Sequence, residues 1–98
     1  MATINDLISG VKPVLIMFYT PGCSRCEAMA PVVEKLKKET AGKAEIHQVD
    51  LSADPELKKR FRIPTCPGWV LFKDGQEVWV DGGEKPYSEL KDMIDRFI

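Results

Sequence analysis

The chain has 98 residues, 44% of them hydrophobic and 30% charged, with 14 basic and 15 acidic side chains and a net charge of -1. That balance fits one small globular domain, expected to span residues 1–98, and excludes a disordered chain. It offers no electrostatic footing for nucleic acid or membrane, and the longest apolar run, Val14 to Tyr19, is far too short to cross a bilayer.

The opening Met1-Ala2-Thr3-Ile4-Asn5-Asp6 lacks the basic start and apolar core of a signal peptide, so a cytoplasmic chain is expected. A short helix begins here, capped by Thr3, with Asp6 near its positive end and Gly10 closing it. Val14-Leu15-Ile16-Met17-Phe18-Tyr19 then reads as a central strand buried on both faces, bounded by Pro13 and Pro21. Thr20-Pro21-Gly22 is turn chemistry. A longer helix carries Cys26, Met29, Ala30, Val33 and Leu36 on one stripe, is kinked by Pro31 and is closed by Gly42.

Glu45 to Asp50 is a second strand, less apolar and so nearer an edge. Asp54-Pro55 starts a helix that runs to about Phe61, with Pro55 at its first position. Trp69 to Lys73 and Glu77 to Val80 are strands joined by the hairpin signal Asp74-Gly75-Gln76. Pro86 opens a last helix that buries Tyr87, Leu90, Met93, Ile94 and Phe97. The order α, β, α, β, α, β, β, α makes the first two strands parallel and the last two an antiparallel hairpin. The expected fold class is therefore α/β, a small mixed sheet with helices on both faces.

Three cysteines, Cys23, Cys26 and Cys66, cannot form a closed set of disulfides. In a reducing compartment such residues are more often catalytic or metal-binding. Cys23-Ser24-Arg25-Cys26 is a Cys-x-x-Cys motif between a buried strand and a helix. No second such motif and no His-x-x-His completes a four-ligand zinc site, which favours redox chemistry.

From Val14 to Ile98 the chain resembles the thioredoxin family. The resemblance is carried by Phe18-Tyr19-Thr20-Pro21-Gly22-Cys23-Ser24-Arg25-Cys26, by Pro31 eight residues after Cys23, by Phe72-Lys73-Asp74-Gly75-Gln76 and by Gly83. Ile63-Pro64-Thr65 is similar by eye to the family's cis-proline segment. The family's cis-proline lies five residues before the hairpin Phe, however, and Pro67 holds that place ahead of Phe72, with Cys66 before it. Much of the family's first strand is missing, so the thioredoxin-like sheet implied here has four strands. Other departures are Ser24-Arg25 for Gly-Pro, Gly22 for a Trp, Met17 for a buried Asp and Gln48 for that Asp's lysine partner.

The resemblance implies a protein-disulfide oxidoreductase with Cys23 and Cys26 as catalytic thiols and Gly22, Cys66, Pro67 and Gly83 around the substrate. It implies no cofactor and no metal. Partners would be protein disulfides and either a thioredoxin-reductase-type or a glutathione electron donor, with no nucleic acid or membrane. Cys23 at a helix N-terminus faces unpaired N–H groups and the positive end of the dipole, which favours the thiolate. Arg25 adds positive charge, and Cys26, one turn on, is placed to resolve a mixed disulfide. Replacement of Gly-Pro by Ser-Arg predicts a more oxidising couple, and loss of the buried Asp predicts a slower final step.

Two other functions fit the same residues. Cys23, Cys26 and Cys66 together suit a soft metal or an iron–sulfur cluster, which would need an outside fourth ligand. Thr65-Cys66-Pro67 and Gly82-Gly83 are similar to glutathione-site patterns of glutaredoxins. Cys66 also reads as a small packing residue, or as a thiol competing for Cys23. Gly22, Gly68 and Gly83 are expected to keep a groove open. Tyr19, Trp69 and Trp79 are read as packing, His47 as an exposed strand residue without an acidic partner, and Lys58-Lys59-Arg60 with Arg62 as a solvated face.

Overall fold

A computed structural model describes residues 4–63 and 65–98. The expected cap Thr3, and Pro64, lie outside the described residues. The elements are α1 (Ile4–Ile8), β1 (Val14–Tyr19), α2 (Ser24–Ala28), α3 (Ala30–Glu39), β2 (Glu45–Asp50), a 3-10 turn (Leu51–Ala53), α4 (Glu56–Arg60), β3 (Gly68–Lys73), β4 (Gln76–Gly82) and α5 (Tyr87–Asp95).

One four-stranded sheet runs in the order β2-β1-β3-β4, with the four strands that the resemblance implies. β1 and β2 are parallel, and β3 is antiparallel to both β1 and β4. The less apolar β2 does lie at an edge. The hairpin turn is tighter than expected. Only Asp74 and Gly75 lie between the strands, both at positive φ, the backbone a two-residue hairpin favours. β4 runs on to Gly82, with an irregularity in the pairing at Leu71 and Phe72.

Side-chain alternation along β1 and β3 splits the core into two layers. Leu15, Met17, Trp69 and Leu71 pack with Cys26, Met29, Val33 and Leu36 and with Leu90 and Ile94 of α5. Val14, Ile16, Phe18, Val70 and Phe72 pack on the other face with Ile8, Leu57, Phe61 and Ile63. Phe61 stacks 5.7 Å from Phe18 and edge-on 5.3 Å from Phe72, between ring centroids. Each such side chain removed from water contributes about 1.5–3 kcal/mol.

The expected kinked helix is two helices. Pro31 has no N–H to offer the Glu27 carbonyl, so the α-helical ladder fails there. Met29 instead closes a tighter turn, its N–H donating to the Cys26 carbonyl at 3.1 Å, and α3 restarts at Ala30. Ala30 is exposed rather than part of the buried stripe. α4 starts at Glu56, one residue later than expected, where the Asp54 carboxylate accepts the Glu56 N–H at 3.3 Å. His47 is half-buried, with Nε2 3.7 Å from the Glu45 carboxylate, so the reading of an exposed residue without an acidic partner is corrected. Residues two apart share a strand face, which brings Glu45 alongside. Among the described residues no helix is long and apolar enough to cross a membrane.

Candidate active site

β1 ends at Tyr19, and Thr20-Pro21-Gly22 turns the chain into α2. Gly22 has φ +78°, a conformation that strains residues with a Cβ, and open space surrounds it. The turn is closed by the Cys23 N–H donating to the Thr20 carbonyl at 3.3 Å. Cys23 is the N-cap of α2, with extended backbone, and its Sγ accepts the Cys26 N–H at 3.2 Å. A sulfur thus stands where a serine or aspartate oxygen usually caps a helix.

The two thiols have opposite surroundings. Cys23 is half-buried and its pKa is lowered from the ordinary thiol value. The Cys26 thiol donating to its sulfur is the largest cause, followed by the N–H groups of Cys26 and Arg25 and then the Arg25 charge. Partial desolvation opposes them. Because α2 has only five residues, these nearest donors outweigh any long dipole. Cys26 is 5% exposed, and burial, then its bond to Cys23, pushes its pKa up to about 12.

Behind the pair is a cavity of about 250 Å³ lined by Met17, Tyr19, Thr20, Pro21, Gly22, Cys23, Cys26, Glu27, Ala30 and Gln48. Met17 and Gln48 are register partners on β1 and β2, so the paired departures seen in the sequence meet on this wall. Tyr19, read from sequence as packing, does pack against the core and also lines the cavity. Glu27 also lines it, and no sequence pattern singled it out.

Cys66, Pro67 and Gly83 do not line that cavity but form a second strip. The Cys66–Pro67 peptide bond is cis, at the position the family resemblance implies. The Pro67 carbonyl accepts the Gly83 N–H at 2.8 Å, and the Gly83 carbonyl accepts the Trp69 indole N–H at 2.8 Å. Trp69 is fully buried, so its packing role doubles as support for Gly83. The loop is braced further by the Lys85 ammonium, 2.6 Å from Asp81, whose other carboxylate oxygen accepts the Gly82 N–H at 2.8 Å. That pair, unread from sequence, raises the Lys85 pKa and lowers that of Asp81, each chiefly through their mutual hydrogen bond.

Cys66 is half-buried, packs against both core layers and lies close enough to Cys26 to help raise its pKa. Gly68 is corrected from a groove residue to a packing one, because a Cβ there would run into the Ile63 side chain. Among the described residues no three His, Cys, Asp or Glu side chains are placed to hold a metal ion. The metal or iron–sulfur alternative on Cys23, Cys26 and Cys66 therefore lacks a ligand set.

The Thioredoxin family model matches residues 2–96. Thioredoxin C-2 of Corynebacterium nephridii is 37% identical over 93 residues, 95% of this chain and 86% of that one. A bifunctional thioredoxin reductase/thioredoxin of Mycobacterium leprae is 31% identical over 91 residues, 92% of this chain and 20% of that longer protein. Among solved structures, a mutant thioredoxin from Halobacterium salinarum is similar with a TM-score of 0.87 and 30% identity, covering 96% of this chain and 81% of that one.

Proposed function

The chain belongs to the thioredoxin family and is a thiol–disulfide oxidoreductase, and from that premise we propose that Cys23 attacks the substrate disulfide and Cys26 resolves the mixed disulfide. The observation that carries these roles is the unequal setting of the two sulfurs: Cys23 Sγ caps α2 and accepts the Cys26 N–H at 3.2 Å, whereas Cys26 is 5% exposed. Cys23 is held toward its thiolate by hydrogen bonds, whereas Cys26 is buried and kept protonated. The nucleophile in disulfide exchange is the thiolate, so the first attack falls to Cys23.

The Cys23 thiolate bonds to one sulfur of a substrate disulfide, and the other leaves as a thiolate. Cys26 then loses its proton and attacks Cys23 Sγ. The Cys23–Cys26 bond forms, the bond from Cys23 to substrate breaks, and the substrate departs reduced. Members of this family act on protein disulfides. An extended substrate segment lying along Gly22, Cys66, Pro67 and Gly83 suits the site, by the pairing of one strand with another. The hydrogen bonds from Gly83 to Pro67 and from Trp69 to Gly83 support this reading, because they hold that strip in place.

We assign the electron supply to a thioredoxin-reductase-type partner. The Mycobacterium leprae relative, a reductase and a thioredoxin in one chain, supports this over the glutaredoxin-like alternative. A reducing compartment such as the cytoplasm suits a dithiol that must start reduced, and residues 1–98 are read as one domain.

Dithiothreitol-driven insulin reduction tests the roles. Wild type should turn over, Cys23→Ser should be inactive, and Cys26→Ser should accumulate a mixed disulfide through Cys23 visible by mass. A Cys23→Ser variant as active as wild type would overturn the assignment.

A further inference from the structure

In the second step a buried thiol must give up a proton at neutral pH. Burial in a low-dielectric layer disfavours its charged form, and the pKa of Cys26 is pushed up to about 12. The step therefore needs an acceptor within reach. The strand behind Cys26 supplies none, since Met17 has no titratable group and its register partner Gln48 is a neutral amide. Both nevertheless line the cavity onto which Cys26 opens.

The titratable groups on that cavity are Tyr19 from β1, Cys23 at the N-cap of α2, and Cys26 and Glu27 within α2; Cys66, the other titratable group close to Cys26, lies outside it. β2 contributes only Gln48, and α3 only Ala30. Tyr19 carries a phenol rather than a carboxylate. Cys23 is tied up in the mixed disulfide during this step. Glu27 is thus the cavity's single carboxylate, and its N–H donates to the Cys23 carbonyl at 3.1 Å, which fixes its backbone to the same turn. A cavity of about 250 Å³ holds several water molecules.

We propose that Glu27 is the proton acceptor for Cys26, reached through solvent in the cavity and standing in for the absent strand carboxylate. The role rests on the assignment of Cys23 and Cys26 above. The Cys26 S–H proton passes through water to the Glu27 carboxylate as the Cys26 sulfur closes on Cys23 Sγ. The electron pair of the Cys23–substrate bond leaves with the substrate sulfur, which takes a proton back from solvent. The dithiol is oxidised, the substrate disulfide is reduced, and no further reagent is consumed.

Stopped-flow reaction with 5,5′-dithiobis(2-nitrobenzoate), in a Cys66→Ser background so that two thiols report, separates the steps. The first thionitrobenzoate release follows attack by Cys23, and the second follows resolution by Cys26. Glu27→Gln should leave the first release unchanged and slow the second about a hundredfold, the lower end of general-base effects. Its second release should also climb more steeply with pH than that of the parent. Glu27→Asp should keep most of the rate, and Met17→Asp added to Glu27→Gln should restore it. An unchanged second release in Glu27→Gln, or equal slowing of both releases, would overturn the role of Glu27. A first release that does not come from Cys23, mapped by peptide mass, would instead overturn the underlying assignment.

Discussion

The backbone N–H of Cys26 lies 3.2 Å from Cys23 Sγ, so the resolving residue helps hold the attacking sulfur as an anion before any substrate arrives. Cys23, with its pKa lowered from 9.0, is ionised in a larger fraction than a free thiol at any pH below that value. Cys26, raised to about 12, stays protonated until strongly alkaline solution. Brief alkylation of the reduced native protein at neutral pH should label Cys23 and spare Cys26, with Cys26 labelled only after denaturation. Equal labelling of both in peptide mass maps would contradict the unequal acidity.

The same hydrogen bonds bear on the redox couple. Holding Cys23 as a thiolate stabilises the reduced form, which makes the disulfide easier to reduce. Equilibration with glutathione buffers should therefore give a potential less negative than about −270 mV, the general reference value for thioredoxin. Arg25→Pro, which removes one of the N–H groups acting on Cys23, should move the potential in the negative direction.

Met17→Asp tests the wall behind Cys26 by itself. Met17 is 1% exposed, so a carboxylate there is costly to bury. Urea unfolding should show a loss of about 2–4 kcal/mol. The resolving step should nonetheless become faster, because a base now sits beside the thiol. Loss of stability without any gain in that rate would show that proton transfer does not limit the step.

Trp69→Phe removes the indole N–H that reaches the Gly83 carbonyl. Leaving that part-buried carbonyl unpaired should cost about 1–3 kcal/mol in denaturant unfolding. If Gly83 also positions substrate, KM for a protein disulfide should rise while reaction with a small aromatic disulfide keeps its rate. An equal change for both substrates would confine Trp69 to the core.

Much of this architecture is readable from residue order. The six apolar residues Val14–Tyr19 are β1 to the residue, because a run buried on both faces has unmistakable ends at Pro13 and the Thr20-Pro21-Gly22 turn. The cis bond at Pro67 is where the family resemblance, counted back from Phe72, implies it. What depends on contacts through space is not readable in this way. The separation of α2 from α3 follows from how one missing donor is made good at Met29. The half-buried state of His47 depends on packing around its strand, and the cavity lining by Tyr19 and Glu27 arises only when β1 and α2 are set side by side. Gly68 looks like a groove glycine until the Ile63 side chain is placed against it.

The division of the interior by the sheet has a practical meaning. Met17 and Phe18 are neighbours in sequence, yet one backs the sulfur pair and the other faces Phe61. Edits meant to retune reactivity and edits meant to raise heat resistance can therefore be written on opposite sides of the same strand. Where the altered side chains share no neighbours, their free-energy effects should sum with little cross-talk.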